Sequence, residues 1–155
     1  VEKQPGEDRR VAIGADHAGF ALKERLVAAL AQLGYEPLDF GTDSEESADY
    51  PDYGHAVSEA VEGGMCRLGV LVCGSGIGMS MTANRHAGIR AALAWNVELG
   101  ELARRHNDAN VLVLPARFIT EASAVEVLKR FLLSPFDGGR HERRVSKIEL
   151  SRQPG

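Results

Sequence analysis

The sequence has little with which to build disulfides, metal sites, membrane spans or a nucleic-acid surface. Only two of its 155 residues are cysteine, Cys66 and Cys73. They stand seven apart without C-x-x-C spacing, which excludes a disulfide framework and a zinc pattern. A reduced, cytoplasmic setting is the expectation. The five histidines are scattered and form no H-x-x-x-H pair, so no metal centre is expected. Net charge is −4, and no global basic field exists to attract nucleic acid or an anionic membrane. The longest apolar runs fall far short of the roughly 20 residues that cross a bilayer. No basic-then-apolar signal segment opens the chain. No repeat, low-complexity segment or second domain is visible.

What is present is ordinary globular composition, 44% hydrophobic and 26% charged. A chain of this length suits one domain with a complete core. Residues 1–10, VEKQPGEDRR, are polar and read as a flexible tail. Residues 11–155 read as a single domain that ends in a basic helix.

Short apolar runs alternate with helical periodicity along that domain. V11-A-I-G-A15 suits a buried strand, and Leu22, Leu26, Val27, Leu30 and Leu33 then recur at helical spacing up to Gly34. Y35-E-P-L-D-F40 alternates as a strand, residues 41–54 are polar and acidic and read as a long loop, and a helix is expected over His55–Val61. Further strands are expected at Arg67–Cys73, Gly88–Ala94 and Asn110–Leu114. Helices are expected at Gly76–Asn84, Val97–Arg105, Thr120–Leu133 and Arg140–Leu150. Five apolar strands alternating with helices predict an α/β fold: a three-layer α/β/α sandwich around a five-stranded parallel, doubly wound, Rossmann-like sheet. Ligands of such folds bind beyond the carboxyl ends of the strands, so the residues that follow each strand are the informative ones.

Cys73 ends the third apolar run and opens G74-S-G-I-G78. A thiol there meets unpaired N–H groups and the positive end of a helix dipole, both of which favour thiolate. The alternative is a buried structural cysteine. Gly74, Gly76 and Gly78 let amides approach an anion, or serve only a tight strand–helix turn. The spacing is neither G-x-G-x-x-G nor a Walker loop, and Met79 stands where a cysteine phosphatase needs arginine. Asn84 bonds that loop or caps its helix. Asp16 and His17 precede a helix; Asp16 suits a cap, and His17 also suits a phosphate or a proton. His106 and Asn107 precede the last strand, while His55 and His86 read as surface residues. Arg140 and Arg144 share a helical face, either as a solvated surface or as a forked grip on phosphate.

Taken in order, G14-A-D-H-A-G19, D49-Y-P51, C73-G-S-G-I-G78, A83-N84, R105-H-N-D108 and G138-G-R-H-E-R-R144 resemble the ribose-5-phosphate isomerase type B family. That family includes isomerases of galactose and allose phosphates. The resemblance implies a homodimer, or a tetramer, with active sites near the subunit interface. It implies cofactor-free aldose–ketose isomerisation of a sugar phosphate through an enediol, a reaction of the pentose phosphate pathway when the sugar is ribose 5-phosphate. Cys73 is similar to the base that moves a proton between C1 and C2, and Ser75 to the hydroxyl that assists. The amides of Gly74, Ser75 and Gly78 match the hole for the enediolate oxygen. His106, with Asp16 nearby, matches the ring-opening pair. Tyr50, Asn84 and Asn107 match substrate contacts, and His17, Arg117, Arg140 and Arg144 the phosphate clamp, part of it from the other subunit. Met79 replaces the glutamate of the family's other subgroup, which sets this chain with the cysteine subgroup. Two competing expectations remain: an isomerase of allose, galactose or tetrulose phosphate, and a non-catalytic phosphate- or nucleotide-binding module.

Overall fold

The computed structural model describes residues 9–150. The elements run β1 (Arg10–Ala15), α1 (Phe20–Gln32), β2 (Glu36–Asp39), α2 (Tyr50–Glu62), β3 (Leu68–Cys73), α3 (Ile77–Ala83), β4 (Ala91–Leu93), α4 (Val97–Arg105), β5 (Val111–Pro115), α5 (Glu121–Leu133) and α6 (Arg140–Ser146). The tail expected over 1–10 lies outside the described residues as far as residue 8. Arg10, by contrast, already pairs with Glu36 in the sheet.

All four strand pairings are parallel, in the order β2-β1-β3-β5-β4. Side chains alternate across the sheet with the period of two that a strand imposes. Val11, Ile13, Val70, Val72, Leu112 and Leu114 point to one side and pack against Leu26 and Leu30 of α1 and Leu128 and Phe131 of α5. Ala12, Leu71, Cys73, Val111 and Val113 point to the other and meet Val57 of α2 and Met79 and Ala83 of α3. The result is the expected three-layer sandwich, and the two apolar faces explain why β3 and β5 are buried along their whole length. No described helix is long and apolar enough to cross a membrane.

Three elements differ from the sequence expectation. Helix α2 starts at Tyr50, inside the stretch expected to be loop. Asp49 is extended at the cap position and Pro51 sits in the first turn, where its fixed φ suits a helix and its missing N–H costs nothing. Strand β4 shrinks to three residues because it is an edge strand. The Arg90 N–H, just ahead of it, donates to the Asn110 side chain at 2.8 Å instead of to the ladder. Helix α6 ends at Ser146 rather than Leu150 and buries none of its residues.

The loop after β2 is tied down from α1. Lys23 is fully buried, and its ammonium donates to both oxygens of Asp39 at 2.8 and 2.6 Å. Asp39 in turn accepts from the Gly41 N–H at 2.9 Å. A buried lysine is tolerated only when paired in this way. The bond sets the path of the chain that leads to α2.

Candidate active site

The strand order turns back between β1 and β3, so a crevice opens beyond their carboxyl ends. Register pairs Ala15 with Val72 at this edge. Asp16 and Cys73 therefore leave the sheet side by side. The Asp16 carboxylate accepts the Gly19 N–H at 3.1 Å, which fixes the entry to α1 and leaves Asp16 close enough for its charge to act on Cys73. His17 accepts the Ala48 N–H on Nδ1 at 3.1 Å. That bond puts the ring proton on Nε2, free to donate outward.

The Cys73 thiol is buried on the α2–α3 side. Burial, the largest effect, pushes its pKa above the ordinary value of 9.0, and the Asp16 charge adds to the rise. The backbone N–H groups of Met79, Gly76 and Ser75 act in the opposite direction, by hydrogen bonding to sulfur. The amides favour thiolate as expected, and burial acts against them. This arrangement depends on Gly76, which caps α3 with φ of +77°. A residue with a Cβ would be strained there and would also strike Leu93.

Three more expected residues line the same edge. The Ser75 hydroxyl oxygen accepts the Ile77 N–H at 3.3 Å, and its hydrogen stays free to donate. Tyr50, at the start of α2, lies against Gly78, where an added Cβ would sit 2.6 Å from the ring. Arg117 follows β5, donates its N–H to the Gly74 carbonyl at 3.0 Å and lays its guanidinium over Gly74. Asp16, His17, Tyr50, Cys73, Gly74, Ser75, Gly78 and Arg117 form one half of the expected site.

The other half is on the opposite edge. His106 caps α4 and Asn107 follows it, ahead of the first residue of β5. Between Val111, opposite Gly69, and Pro115, opposite Cys73, the strand advances about 13 Å at ~3.3 Å per residue. His106 cannot meet Cys73 or Asp16 within one chain, so the expected pairing of His106 with Asp16 requires a second copy. Asn84 is also displaced. It closes α3, a helix about 10 Å long at ~1.5 Å per residue, at the end away from Gly76. There its amide grips β4, donating to the Ala91 carbonyl at 3.0 Å and accepting the Ala91 N–H at 2.8 Å. Asn84 is a bracket between α3 and β4, not a contact near Cys73.

His106, Asn107, Arg140 and Arg144 gather around residues that sequence reasoning missed. Buried Arg104 donates to Asp108 at 3.0 Å and to the Ala109 carbonyl, and Asp108 takes φ of +47°, which aspartate tolerates. This anchors the end of α4. Asp137 donates its N–H to the Arg105 carbonyl at 2.9 Å and accepts from Arg105 Nε at 3.1 Å. The His141 ring of α6 stacks on His106 with centroids 4.2 Å apart and planes 11° apart. Burial, then the charges of His106, Arg140 and Arg144, hold the His141 pKa below the ordinary histidine value. The F136-D137-G-G139 turn, placed directly before the arginines, was the available signal.

Ligand atoms of His106, Asp137 and His141 lie within 4.8 Å of one another, a spacing open to a cation. A ligating imidazole holds its metal near the ring plane, and two nearly parallel stacked rings share no such point. The group is a stacked pair with a carboxylate beside it. His55 and His86, expected as separate surface residues, are bonded ring to ring at 2.8 Å across α2 and the end of α3.

Cys73, Ser75, His17 and Arg117 thus gather at the strand ends where enzymes of this α/β class bind their ligands. Residues 11–148 match the Ribose/Galactose Isomerase family, and the chain belongs to it. Ribose-5-phosphate isomerase B of Escherichia coli (strain K12) is 41% identical over 145 residues, covering 94% of this chain and 97% of its own. The structure of a ribose 5-phosphate isomerase from Thermotoga maritima shares 50% identity and superposes with a TM-score of 0.88 over 90% of this chain and 97% of its own. Ribose-5-phosphate isomerase B of Mycoplasma genitalium, solved with bound ribulose-5-phosphate, shares 37% identity at a TM-score of 0.86, over 90% and 93%.

Proposed function

We propose that the chain interconverts ribose 5-phosphate and ribulose 5-phosphate through an enediol, without a cofactor, in a site shared by two copies of the chain. The carrying observation is the buried Cys73 thiol at the β1/β3 switch point, beside Asp16 and at the head of the glycine turn that carries Ser75 and meets Arg117. Support for a shared site comes from the two half-sites on opposite edges of one sheet: a second copy brings His106, Asn107, Arg140 and Arg144 to the first copy's Cys73.

In this reading the His106 imidazole opens the sugar ring, moving a proton from the C1 hydroxyl toward the ring oxygen. The Cys73 thiolate then takes the C2 proton and returns it to C1. The Ser75 hydroxyl and neighbouring amides steady the oxygen that gains charge, each such donor being worth about 3–4 kcal/mol. His17 Nε2–H, Arg117, Arg140 and Arg144 hold the phosphate, while Tyr50 and Asn107 contact the sugar. We also take residues 11–155 as one domain, with support from the single sheet and its two apolar faces. The free thiols of Cys66 and Cys73 support a cytoplasmic location.

Ribose 5-phosphate deuterated at C2 tests the reaction. The protein is expected to wash this label into water, and a protein that only binds phosphates leaves it in place. In a panel of ribose, allose, galactose and tetrulose phosphates, kcat/KM is expected to be highest for ribose 5-phosphate. A higher value for another sugar replaces the substrate and keeps the chemistry.

A further inference from the structure

We propose that His141 is a positioning residue for His106, fixing its imidazole by face-to-face stacking in the orientation that opens a cyclic sugar phosphate. The proposal rests on the isomerase reading above and deepens it. Little else holds the His106 ring. Its side chain is 38% exposed, and among the described residues it makes no hydrogen bond; Asp137 Oδ2 is 4.0 Å from Nε2, too far for one. The His106 backbone is anchored, by its N–H to the Leu102 carbonyl at 2.9 Å, but the ring is left free to turn about its χ angles. The flat contact with His141, centroids 4.2 Å apart and planes 11° apart, removes that freedom.

Nothing in the core asks for His141. Helix α6 has no buried residue, so this ring is not there to fill a void. The helix is held to α4 through the Asp137 N–H and carboxylate on Arg105, at 2.9 and 3.1 Å. That tether brings His141 under His106 while Arg140 and Arg144, one helical turn apart, share another face. One short helix thus presents the phosphate grip and supports the ring-opening imidazole. The distance between the sugar's phosphate and the atoms that must exchange protons is set by how α6 docks on the end of α4.

Ring opening breaks the bond from C1 to the ring oxygen and forms the C1 carbonyl. One proton leaves the C1 hydroxyl and one arrives on the ring oxygen. Ribulose 5-phosphate needs no such step, because its C5 oxygen carries the phosphate and cannot close on the C2 ketone. The two substrates therefore separate orientation of His106 from the carbon chemistry at Cys73.

The test compares His141→Ala with His141→Phe, whose flat ring keeps the stack. Each is assayed for kcat on ribose 5-phosphate and for solvent-deuterium uptake at C1 of ribulose 5-phosphate. His141→Ala is expected to lower kcat about 10–100-fold, the cost of a misplaced catalytic group, with KM nearly unchanged. Deuterium uptake on the open-chain ketose is expected to persist, and His141→Phe to restore most of the aldose rate. Unchanged aldose turnover in His141→Ala, an equal fall in both reactions, or no rescue by phenylalanine overturns the proposal. Failure of the isomerase reading looks different: the unaltered protein then performs neither reaction.

Discussion

At the scale of the residue, Cys73 is a contest between water lost and amides gained. Burial raises its pKa, the Asp16 charge raises it further, and the N–H groups of Met79, Gly76 and Ser75 pull it back without restoring the ordinary value. The thiol form therefore rests in the site, and the thiolate, once formed, is a stronger base than a free one. In the proposed mechanism the deprotonated form acts as the base, so kcat/KM should climb as pH rises through the elevated value and show no plateau below about pH 9. A pH–rate profile from 6 to 10 checks this, and a plateau near neutrality contradicts it. Cys73→Ala or Cys73→Ser should lower kcat by about 10²–10⁴-fold while the phosphate half of the substrate still binds. Cys73's place at a strand end before glycines could be read from the sequence. Its protonation state could not, because burial is set by Met79 and the α2–α3 layer, and local spacing says nothing of those.

At the scale of the element, alternation of apolar runs with helical periodicity was enough to read the layers and all eleven elements. The errors fell where polar residues obey a rule other than periodicity. Helix α2 begins at Tyr50 because Asp49 and Pro51 set up a first turn, a signal hidden in an acidic, loop-like stretch. Strand β4 is short because Asn110 and Asn84 claim the backbone groups at its start. Lys23 looks on paper like a solvent-facing residue of α1, yet it is buried and ties α1 to Asp39. Removing one partner of a buried pair costs roughly 3–5 kcal/mol. The Asp39 side chain keeps 37% of its surface exposed. Lys23→Ala should accordingly sit at the low end, about 3 kcal/mol in a denaturant titration. A change under about 0.5 kcal/mol, typical of a surface position, contradicts the structural role given to this pair.

At the scale of the whole molecule, the proposed site is divided between opposite edges of one sheet. Residues before a parallel strand and residues after it cannot meet in one chain, so grouping His106 and Asn107 with Asp16 and Cys73 requires a second copy. Asn84 closes α3 as its reading as a helix cap allowed, and the crossover helix returns it to the edge away from Cys73. The central claim is that each site takes Cys73 from one copy and His106 from another. Mixing separately inactive Cys73→Ala and His106→Ala chains, after unfolding and refolding them together, measures this most directly. Random pairing makes half of the dimers mixed, each with one intact site of two, so the account predicts recovery of about a quarter of the unaltered turnover. No recovery, with mixed dimers shown to form, would contradict it.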